Sequence, residues 1–139
     1  MNEKRVAWAV TGAGHLLGEC AGIIGRCRGV DLFLSRAGEE VVRMYGLYAG
    51  MRATGIPIHT EKKSSAPVVS RFFKGVYGVL VIAPATSNSV AKFVHGISDT
   101  LVTNLFAQAG KAKVPVIILP TDQAPEMTST APGDASITV

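Results

Sequence analysis

Residues 84–89 bring together the polar side chains with the clearest chemical purpose in this chain. The segment reads Pro-Ala-Thr-Ser-Asn-Ser and follows the apolar run 79–83, so it lies where a buried strand gives way to a helix. Pro84 is expected to end that strand because it lacks an amide donor. A helix cap needs one Ser, Thr or Asn, and this turn offers four in succession. At the carboxyl edge of a parallel sheet, where such folds bind ligands, these groups favour contacts to a flat, polar ligand. The residues assigned to this contact are Ala85, Thr86, Ser87, Asn88 and Ser89.

A second loop, residues 11–15, joins the first apolar strand to the first helix and reads Thr-Gly-Ala-Gly-His. Glycines let the backbone approach an oxygen-rich group, and the free amides of a helix start attract negative charge. The spacing to Gly18 departs by one residue from the dinucleotide-binding fingerprint. The loop therefore favours a phosphate contact, with a simple tight turn as the alternative. The residues assigned to it are Thr11, Gly12, Ala13 and Gly14.

Ser35 and Arg36 end the second predicted strand, where a dinucleotide-binding protein would have an acidic residue. We expect them to lie beside the 11–15 loop at the same sheet edge. The Ser35 hydroxyl then suits a polyol or phosphate oxygen, and Arg36 adds positive charge. A helix cap and a solvated cation are the alternatives for these two residues.

Ten apolar segments must position these loops, and they alternate between strand-like and helical patterns. The last segment is almost continuously apolar, as expected of a strand that helices cover on both faces of the sheet. This order predicts an α/β fold, a three-layer αβα sandwich around a parallel, Rossmann-like or flavodoxin-like sheet. The segments are 6–10, 16–27, 30–34, 39–48, 56–59, 68–73, 79–83, 90–95, 100–109 and 114–119.

Length and composition limit the class of protein. The chain has 139 residues, of which 47% are hydrophobic, and this predicts a single domain over residues 1–122. Residues 123–139 are rich in Pro, Thr, Ser, Ala and Gly, so we expect a loosely ordered tail there. The net charge of +4 comes from scattered basic residues, and aromatic residues make up only 6%, so no nucleic-acid partner is predicted. No apolar run reaches membrane-spanning length and the start is not leader-like. We therefore expect no membrane contact and a cytoplasmic location.

Several residues that often serve as ligands or catalysts are given modest roles. Cys20 and Cys27 are too few for an iron–sulfur cluster or a structural zinc, so no metal is predicted and both are expected to be buried, reduced thiols. Structural roles are expected for the three histidines. The candidates for a proton donor at the ligand edge are His15, Asp99 and Asp122, and none of them is assigned as catalytic.

Taken in order, these motifs resemble the homo-oligomeric flavin-containing cysteine decarboxylase superfamily over nearly the whole chain. Residues 11–14 are similar to its phosphate loop and Ser35 to its ribityl or phosphate contact. Residues 84–89 are similar to its Pro-Ala-Ser-Ala-Asn-Thr signature, and 96–101 to the Gly-x-x-Asp-Asn-Leu segment that borders the flavin. The resemblance implies FMN as the cofactor and a homo-oligomer built from trimers. It adds to the predicted contacts Ser98, Asp99 and Thr100.

Within that superfamily, residues 11–17, 73–77 and 119–123 look most like the archaeal-type flavoproteins of the dihydromethanopterin reductase type. Ser70 stands near the place of the decarboxylases' catalytic His, and their Pro-Ala-Met-Asn clamp is missing. Both departures disfavour a phosphopantothenoylcysteine-decarboxylase-like reaction. Flavin prenyltransferases carry Ser at the position of Gly14 and are disfavoured as well. The resemblance therefore implies hydride transfer from reduced FMN to a pterin such as dihydromethanopterin, in one-carbon metabolism, with a ferredoxin-like protein or a reduced flavin as the electron source.

Two functional classes stay open. A reductase would have an aromatic slot in which the pterin stacks. The candidates for that slot are Tyr45, Tyr48 and Phe73. An FMN electron-transfer protein would instead dock a ferredoxin-like donor on a basic surface. The candidates for that surface are Lys62, Lys63, Arg71 and Lys74. In either class, the apolar segments 46–50 and 100–109 predict a homo-oligomer whose subunits cover each other.

Overall fold

The computed structural model describes residues 3–62, 70–122, 128–133 and 136–138. At its centre is a five-stranded parallel sheet with the strand order β3-β2-β1-β4-β5. The strands are β1 (Arg5–Val10), β2 (Val30–Leu34), β3 (Ile58–Thr60), β4 (Tyr77–Ala85) and β5 (Val116–Pro120). The helices of the described residues are α1 (Leu17–Arg26), α2 (Arg36–Met44), α3 (Tyr48–Ala53), α4 (Ser87–His95) and α5 (Leu101–Lys111). Each strand of this sheet overlaps one of the predicted apolar segments.

The side chains of the sheet alternate between two apolar layers. On β1, Ala7 and Ala9 belong to the cluster formed with α4 and α5, whereas Trp8 and Val10 belong to the cluster formed with α1, α2 and α3. This period of two arises because successive Cβ atoms of a strand point to opposite faces. Helices cover both faces, so β2 is buried along its whole length. The predicted αβα sandwich is confirmed.

Two of the wrong boundaries lie at residues with special backbones. The helical segment 39–48 is divided between α2 and α3 because Gly46 adopts a φ of +70°, which does not continue a helix. Pro84 does not end its strand, since β4 continues to Ala85. The peptide between Ala83 and Pro84 is cis. The ladder between β4 and β5 shifts its register between Ile82 and Ala85, so the strand can pass through a residue that has no N–H to donate.

The described part of the 123–139 tail contains two short antiparallel strands, β6 (Thr128–Thr130) and β7 (Ser136–Thr138). Ser129 is buried, and its Oγ lies 2.9 Å from Nδ1 of His15, so the tail reaches the loop after β1. The domain boundary at residue 122 and the loose order of the tail stay predictions. Residues 123–127, 134, 135 and 139 of the tail lie outside the described residues, as do 68 and 69 of the predicted segment 68–73.

The two cysteines have different environments. Cys20 faces the core from α1, and burial raises the pKa of its thiol to about 11. Cys27 is exposed, because it follows the last residue of α1 and lies beyond Ile24, the last buried position of that helix. The prediction of buried thiols is therefore right for Cys20 and wrong for Cys27. Over the described ranges, no helix is both long and apolar enough to cross a membrane.

Candidate ligand-binding site

A cavity of about 510 Å³ lies at the carboxyl edge of the sheet. The starts of three helices, α2, α4 and α5, meet around it together with the loop after β1 and the residue after β3. A parallel sheet brings these segments together because all of its strands end at the same edge. The lining residues are Gly12, Ser35, Arg36, Ala37, Glu61, Thr86, Asn88, Ser89, Lys92, Thr100, Val102 and Thr103.

At the start of α2, Ser35 is the N-cap. Its Oγ accepts a hydrogen bond of 2.9 Å from the amide of Gly38. A hydroxyl oxygen that accepts in this way still has its own proton to donate, so the cap and a ligand contact are compatible. Gly12 packs closely here, since a Cβ built on it would lie 2.7 Å from Cβ of Ala37. Glycine at position 12 therefore lets the loop after β1 contact the first turn of α2 at the wall of the cavity.

At the start of α4, Thr86 is the N-cap and accepts from the amide of Ser89 at 3.1 Å. Its hydroxyl also donates to Oγ of Ser89 at 2.9 Å. Thr11 is hydrogen-bonded to this turn. Its Oγ1 donates to the carbonyl oxygen of Pro84 and accepts from the amide of Thr86, both at 2.9 Å. The Thr11 hydroxyl thus joins the carboxyl ends of β1 and β4.

At the start of α5, Thr100 and Thr103 form a reciprocal capping box. The amide of Leu101 donates to Oε1 of Glu61 at 2.8 Å. Glu61 directly follows β3, so this contact ties the end of the sheet's edge strand to a helix that begins 40 positions further along the chain.

The three helix starts differ in whether a carboxylate accepts a hydrogen bond from an amide of the first turn. At α4 the amide of Ser87 donates to Oδ2 of Asp122 at 3.2 Å, and at α5 the Leu101 amide donates to Glu61. At α2, by contrast, no carboxylate among the described residues accepts from an amide of the first turn. Glu39, in the first turn of α2, instead pairs with Arg43. Since a helix start attracts an anion, α2 is the end of the cavity best able to bind one.

Seven of the predicted contacts line the cavity and seven do not. Those in the lining are Gly12, Ser35, Arg36, Thr86, Asn88, Ser89 and Thr100. Those outside it are Thr11, Ala13, Gly14, Ala85, Ser87, Ser98 and Asp99. Asp99 is instead paired with Lys92, and the Ser98 hydroxyl donates to the carbonyl oxygen of Thr103 at 3.2 Å. Gly14 lies against the hydroxyl end of the Tyr45 side chain, which a Cβ at Gly14 would meet. The role of all fourteen residues in binding stays a prediction.

The sequence interpretation missed two charged residues of the lining, Glu61 and Lys92. Lys92 had a usable signal, because it follows Asn88 by four positions and Ser89 by three, which puts all three on one side of α4. Glu61 had no such signal, because the polar run 61–65 in which it stands is also typical of a solvated loop. The Glu61 side chain is held at the cavity by its hydrogen bond from the Leu101 amide of α5.

The candidate proton donors each have a polar partner among the described residues, and the histidine of β3 has an aromatic neighbour. His15 contacts Ser129, and Asp122 accepts from the amide of Ser87. His59 stacks on Phe33, with 4.8 Å between ring centroids, and burial lowers the pKa of its imidazole. These contacts agree with the structural roles expected for His15 and His59.

The candidates for stacking and docking surfaces are dispersed. The Tyr48 ring is covered by the guanidinium of Arg43, 3.8 Å from its centroid. Phe73 is 58% exposed. Arg71 lies at the opposite edge of the sheet, where its guanidinium reaches Asp31 and Tyr77. Lys63 lies outside the described residues.

Two curated relatives share this sequence over most of its length. The chain is 42% identical over 131 residues to "Dihydromethanopterin reductase (acceptor)" of Methanocaldococcus jannaschii, a match that covers 85% of this chain and 53% of the relative. It is 41% identical over 135 residues to the protein of the same name from Methanosarcina mazei, covering 88% of this chain and 56% of the relative. The chain thus spans about half the length of the curated relatives it matches.

A solved structure has the same fold. It is Burkholderia xenovorans DmrB in complex with FMN, described as a cubic protein cage for redox transfer. The TM-score is 0.85 and the identity 40%, and the match covers 98% of this chain and 75% of that one. The model of the Flavoprotein family matches residues 1–131. The sheet topology, the cavity and these similarities together lead to one conclusion, which confirms the resemblance seen in the sequence: the chain belongs to the Flavoprotein family.

Proposed function

We propose that the chain binds FMN in the carboxyl-edge cavity and uses it to reduce a pterin such as dihydromethanopterin to its tetrahydro form. The observation that carries this proposal is the meeting of three hydroxyl-capped helix starts around one cavity of about 510 Å³. Helix starts and short hydroxyls suit a ligand that has a phosphate, a polyol and a polar ring. The names of the two curated relatives and the FMN in DmrB support the same assignment.

The phosphate is assigned to the start of α2. Asp122 and Glu61 already accept from the first amides of α4 and α5. At α2, the Ser35 hydroxyl has a proton left to donate, Gly12 keeps the adjacent wall free of a side chain, and Arg36 supplies a cation. The remaining lining, from α4 and α5, is then left for the ring.

When bound, FMN supplies hydride chemistry through its N5 position, with an external ferredoxin-like protein or reduced flavin as the electron donor. Hydride addition to the pterin must be accompanied by one proton. Each of the three candidate donors already has a partner in the chain: His15 with Ser129, Asp122 with Ser87, and Asp99 with Lys92. We therefore assign no general acid, and the task given to the protein is to bind and orient the two rings.

The alternative, an FMN electron carrier, would dock a ferredoxin-like donor on a basic surface near the flavin. Its candidate cation Arg71 lies at the amino edge of the sheet and is committed to the buried carboxylate of Asp31. That contact places one of the four candidate cations away from the cavity. A decarboxylase-like reaction gains no support from Ser70, which stands near the position of the missing histidine.

We also propose a homo-oligomer built from trimers, in the cytoplasm. Large apolar side chains are exposed on the described surface, with Val94 76% and Ile117 58% exposed. A cube contains threefold axes, so the cage described for DmrB is compatible with trimers. The apolar helix 100–109 is not part of this argument, because Leu101, Val102, Leu105 and Ala109 are buried in the chain's own core.

The test begins with the absorption spectrum of the purified chain, with and without added FMN. The bound flavin is then photoreduced without oxygen, and dihydromethanopterin or dihydrofolate is added while the flavin bands are followed. Prompt reoxidation by the pterin is expected. Reoxidation by a ferredoxin-like protein alone would make the chain a carrier, and a chain that takes up no FMN would overturn the assignment. Light scattering on the same sample tests the oligomer, since a monomer that holds FMN would contradict it.

A further inference from the structure

Lys92 and Asp99 form an ion pair at the wall of the cavity. The Nζ atom of Lys92 lies 3.1 Å from each carboxylate oxygen of Asp99. The two partners differ in exposure, since the side chain of Lys92 is 26% exposed and that of Asp99 is 54% exposed. Lys92 lines the cavity, whereas Asp99 is not part of the lining. The pair is therefore oriented, with its cation towards the ligand space and its anion towards solvent.

The other charges of the lining have different positions. Arg36 stands at the start of α2, the end to which the phosphate is assigned, and Glu61 is bonded to the first amide of α5. Lys92 extends from α4, beside the part of the cavity left for the ring. On the proposed function, Lys92 is thus the cation of the described lining that stands nearest to the flavin ring.

We propose that Lys92 sets the reduction potential of the bound flavin and that Asp99 is a positioning residue that holds the ammonium and partly neutralises it. Reduction adds electrons to the ring, so a nearby cation stabilises the reduced form and raises the midpoint potential. A carboxylate bonded to that cation opposes this effect. The family signature around Asp99 then acts on the flavin through Lys92 rather than by direct contact. This inference rests on the proposed binding of FMN.

The test is the midpoint potential of bound FMN in the wild-type chain and in two variants, Lys92→Gln and Asp99→Asn. Lys92→Gln is expected to lower the potential because it removes the cation, and Asp99→Asn to raise it because it releases the cation from its counter-charge. The shift should be larger for Lys92, which is the less exposed partner. The Asp99→Asn shift should also shrink in high salt, since mobile ions screen exposed charges.

Lys111→Gln is the matched control for the lysine. It makes the same chemical change at the last residue of α5, the helix whose first residues line the cavity. Position 111 is separated from the start of that helix by roughly 15 Å. It should leave the potential at the wild-type value. The dissociation constant of FMN, measured by fluorescence, is recorded for every variant so that a change in potential can be compared with a change in binding.

Opposite shifts in the two variants would support the inference. Shifts in the same direction, or potentials unchanged from wild type in a chain that binds FMN, would overturn it while leaving the proposed function intact. If Lys92→Gln fails to fold, the exposed Asp99→Asn decides alone, and an unchanged or lower potential sinks the idea. A wild-type chain that takes up no FMN overturns the proposed function itself, and this inference with it.

Discussion

The two edges of the central sheet use polar side chains in opposite ways. At the amino edge, the buried carboxylate of Asp31 is surrounded by the chain's own donors. Arg5 donates to it at 2.8 Å, Tyr77 at 2.6 Å and Arg71 at 3.5 Å. At the carboxyl edge, the capping hydroxyls of Ser35, Thr86 and Thr100 line an open cavity. The first edge is closed by side chains, and the second leaves polar groups available.

The difference lies in how fully each group is bonded. A buried charge is tolerated only when it is paired and hydrogen-bonded, and Asp31, with 2% of its side chain exposed, meets that condition through three partners. At the carboxyl edge, the Ser35 hydroxyl accepts from the amide of Gly38 and keeps its own proton for a ligand, whereas the Thr86 hydroxyl donates its proton to Ser89. We therefore expect changes at the amino edge to act on stability and changes at the carboxyl edge to act on ligand binding.

The largest effect is expected from Asp31→Asn. This change leaves the two arginines and Tyr77 without their shared carboxylate, and we expect the free energy of unfolding to fall by about 3 kcal/mol. Urea denaturation measures it. FMN affinity of the folded variant should equal that of wild type, because the cavity lies at the other edge. Weaker FMN binding with unchanged stability would contradict the division between the two edges.

The next largest effect is expected from raising the pH, which should lower the free energy of unfolding through Tyr77 at the amino edge. Burial, followed by the hydrogen bond to Asp31, raises the pKa of Tyr77 from 10.0 to about 12. The unfolded chain therefore loses this proton first, so the contribution is complete below about pH 10 and is lost as the pH rises to about 12. The free energy of unfolding should fall by about 2 to 3 kcal/mol over this range. Urea denaturation between pH 9 and pH 12, in steps of about half a unit, measures it.

Tyr77→Phe is the control for that pH series. Without a phenol, this part of the pH dependence should disappear, while the titration of exposed lysines continues in both proteins. A wild-type curve that runs parallel to the Tyr77→Phe curve from pH 9 to pH 12 would show that the phenol of Tyr77 does not titrate differently on folding.

A smaller effect, on both properties, is expected from Gly12→Ala. Its Cβ would lie 2.7 Å from Cβ of Ala37, so the loop after β1 must move away from α2. We expect a loss of about 1 to 2 kcal/mol of stability and weaker FMN binding. Gly22→Ala is the matched control, since a Cβ on Gly22 meets nothing within 4 Å. That change inside α1 should stabilise the chain by about 0.5 to 1 kcal/mol, and equal behaviour of the two variants would refute the close contact.

The smallest and most selective effect is expected from Asn88→Ala. Asn88 lines the cavity, and among the described residues none is hydrogen-bonded to its side chain. Losing one ligand contact of about 1 kcal/mol should weaken FMN binding about fivefold. Unfolding should change by less than about 0.5 kcal/mol. Thr86→Ala also removes a helix cap, so it should lower both the FMN affinity and the free energy of unfolding. Fluorescence titration and urea denaturation of the two variants therefore separate ligand binding from helix capping.

Much of the fold could be read from local pattern. The apolar runs predicted β1 and β2 within a residue, because alternation and burial are properties of consecutive residues. The polar turn 84–89 was likewise recognisable as a helix start, and Thr86, Asn88 and Ser89 of that turn line the cavity. The errors came where one backbone feature overrode the pattern, as at Gly46 and Pro84. The cluster around Asp31 had no signal, since Arg5, Asp31 and Tyr77 meet only when β1, β2 and β4 lie side by side.

By itself, the sequence determined the alternation of strands and helices, the hydroxyls that cap α2, α4 and α5, and the glycines that allow tight turns, because each depends on a few neighbouring residues. The tertiary structure alone decided which helix starts share a cavity and which of them are already occupied. Glu61 reaches α5 across 40 positions, and Asp122 reaches α4 across 35. Such contacts follow from the order in which strands pair, and that order is a property of the whole sheet rather than of any short stretch of residues.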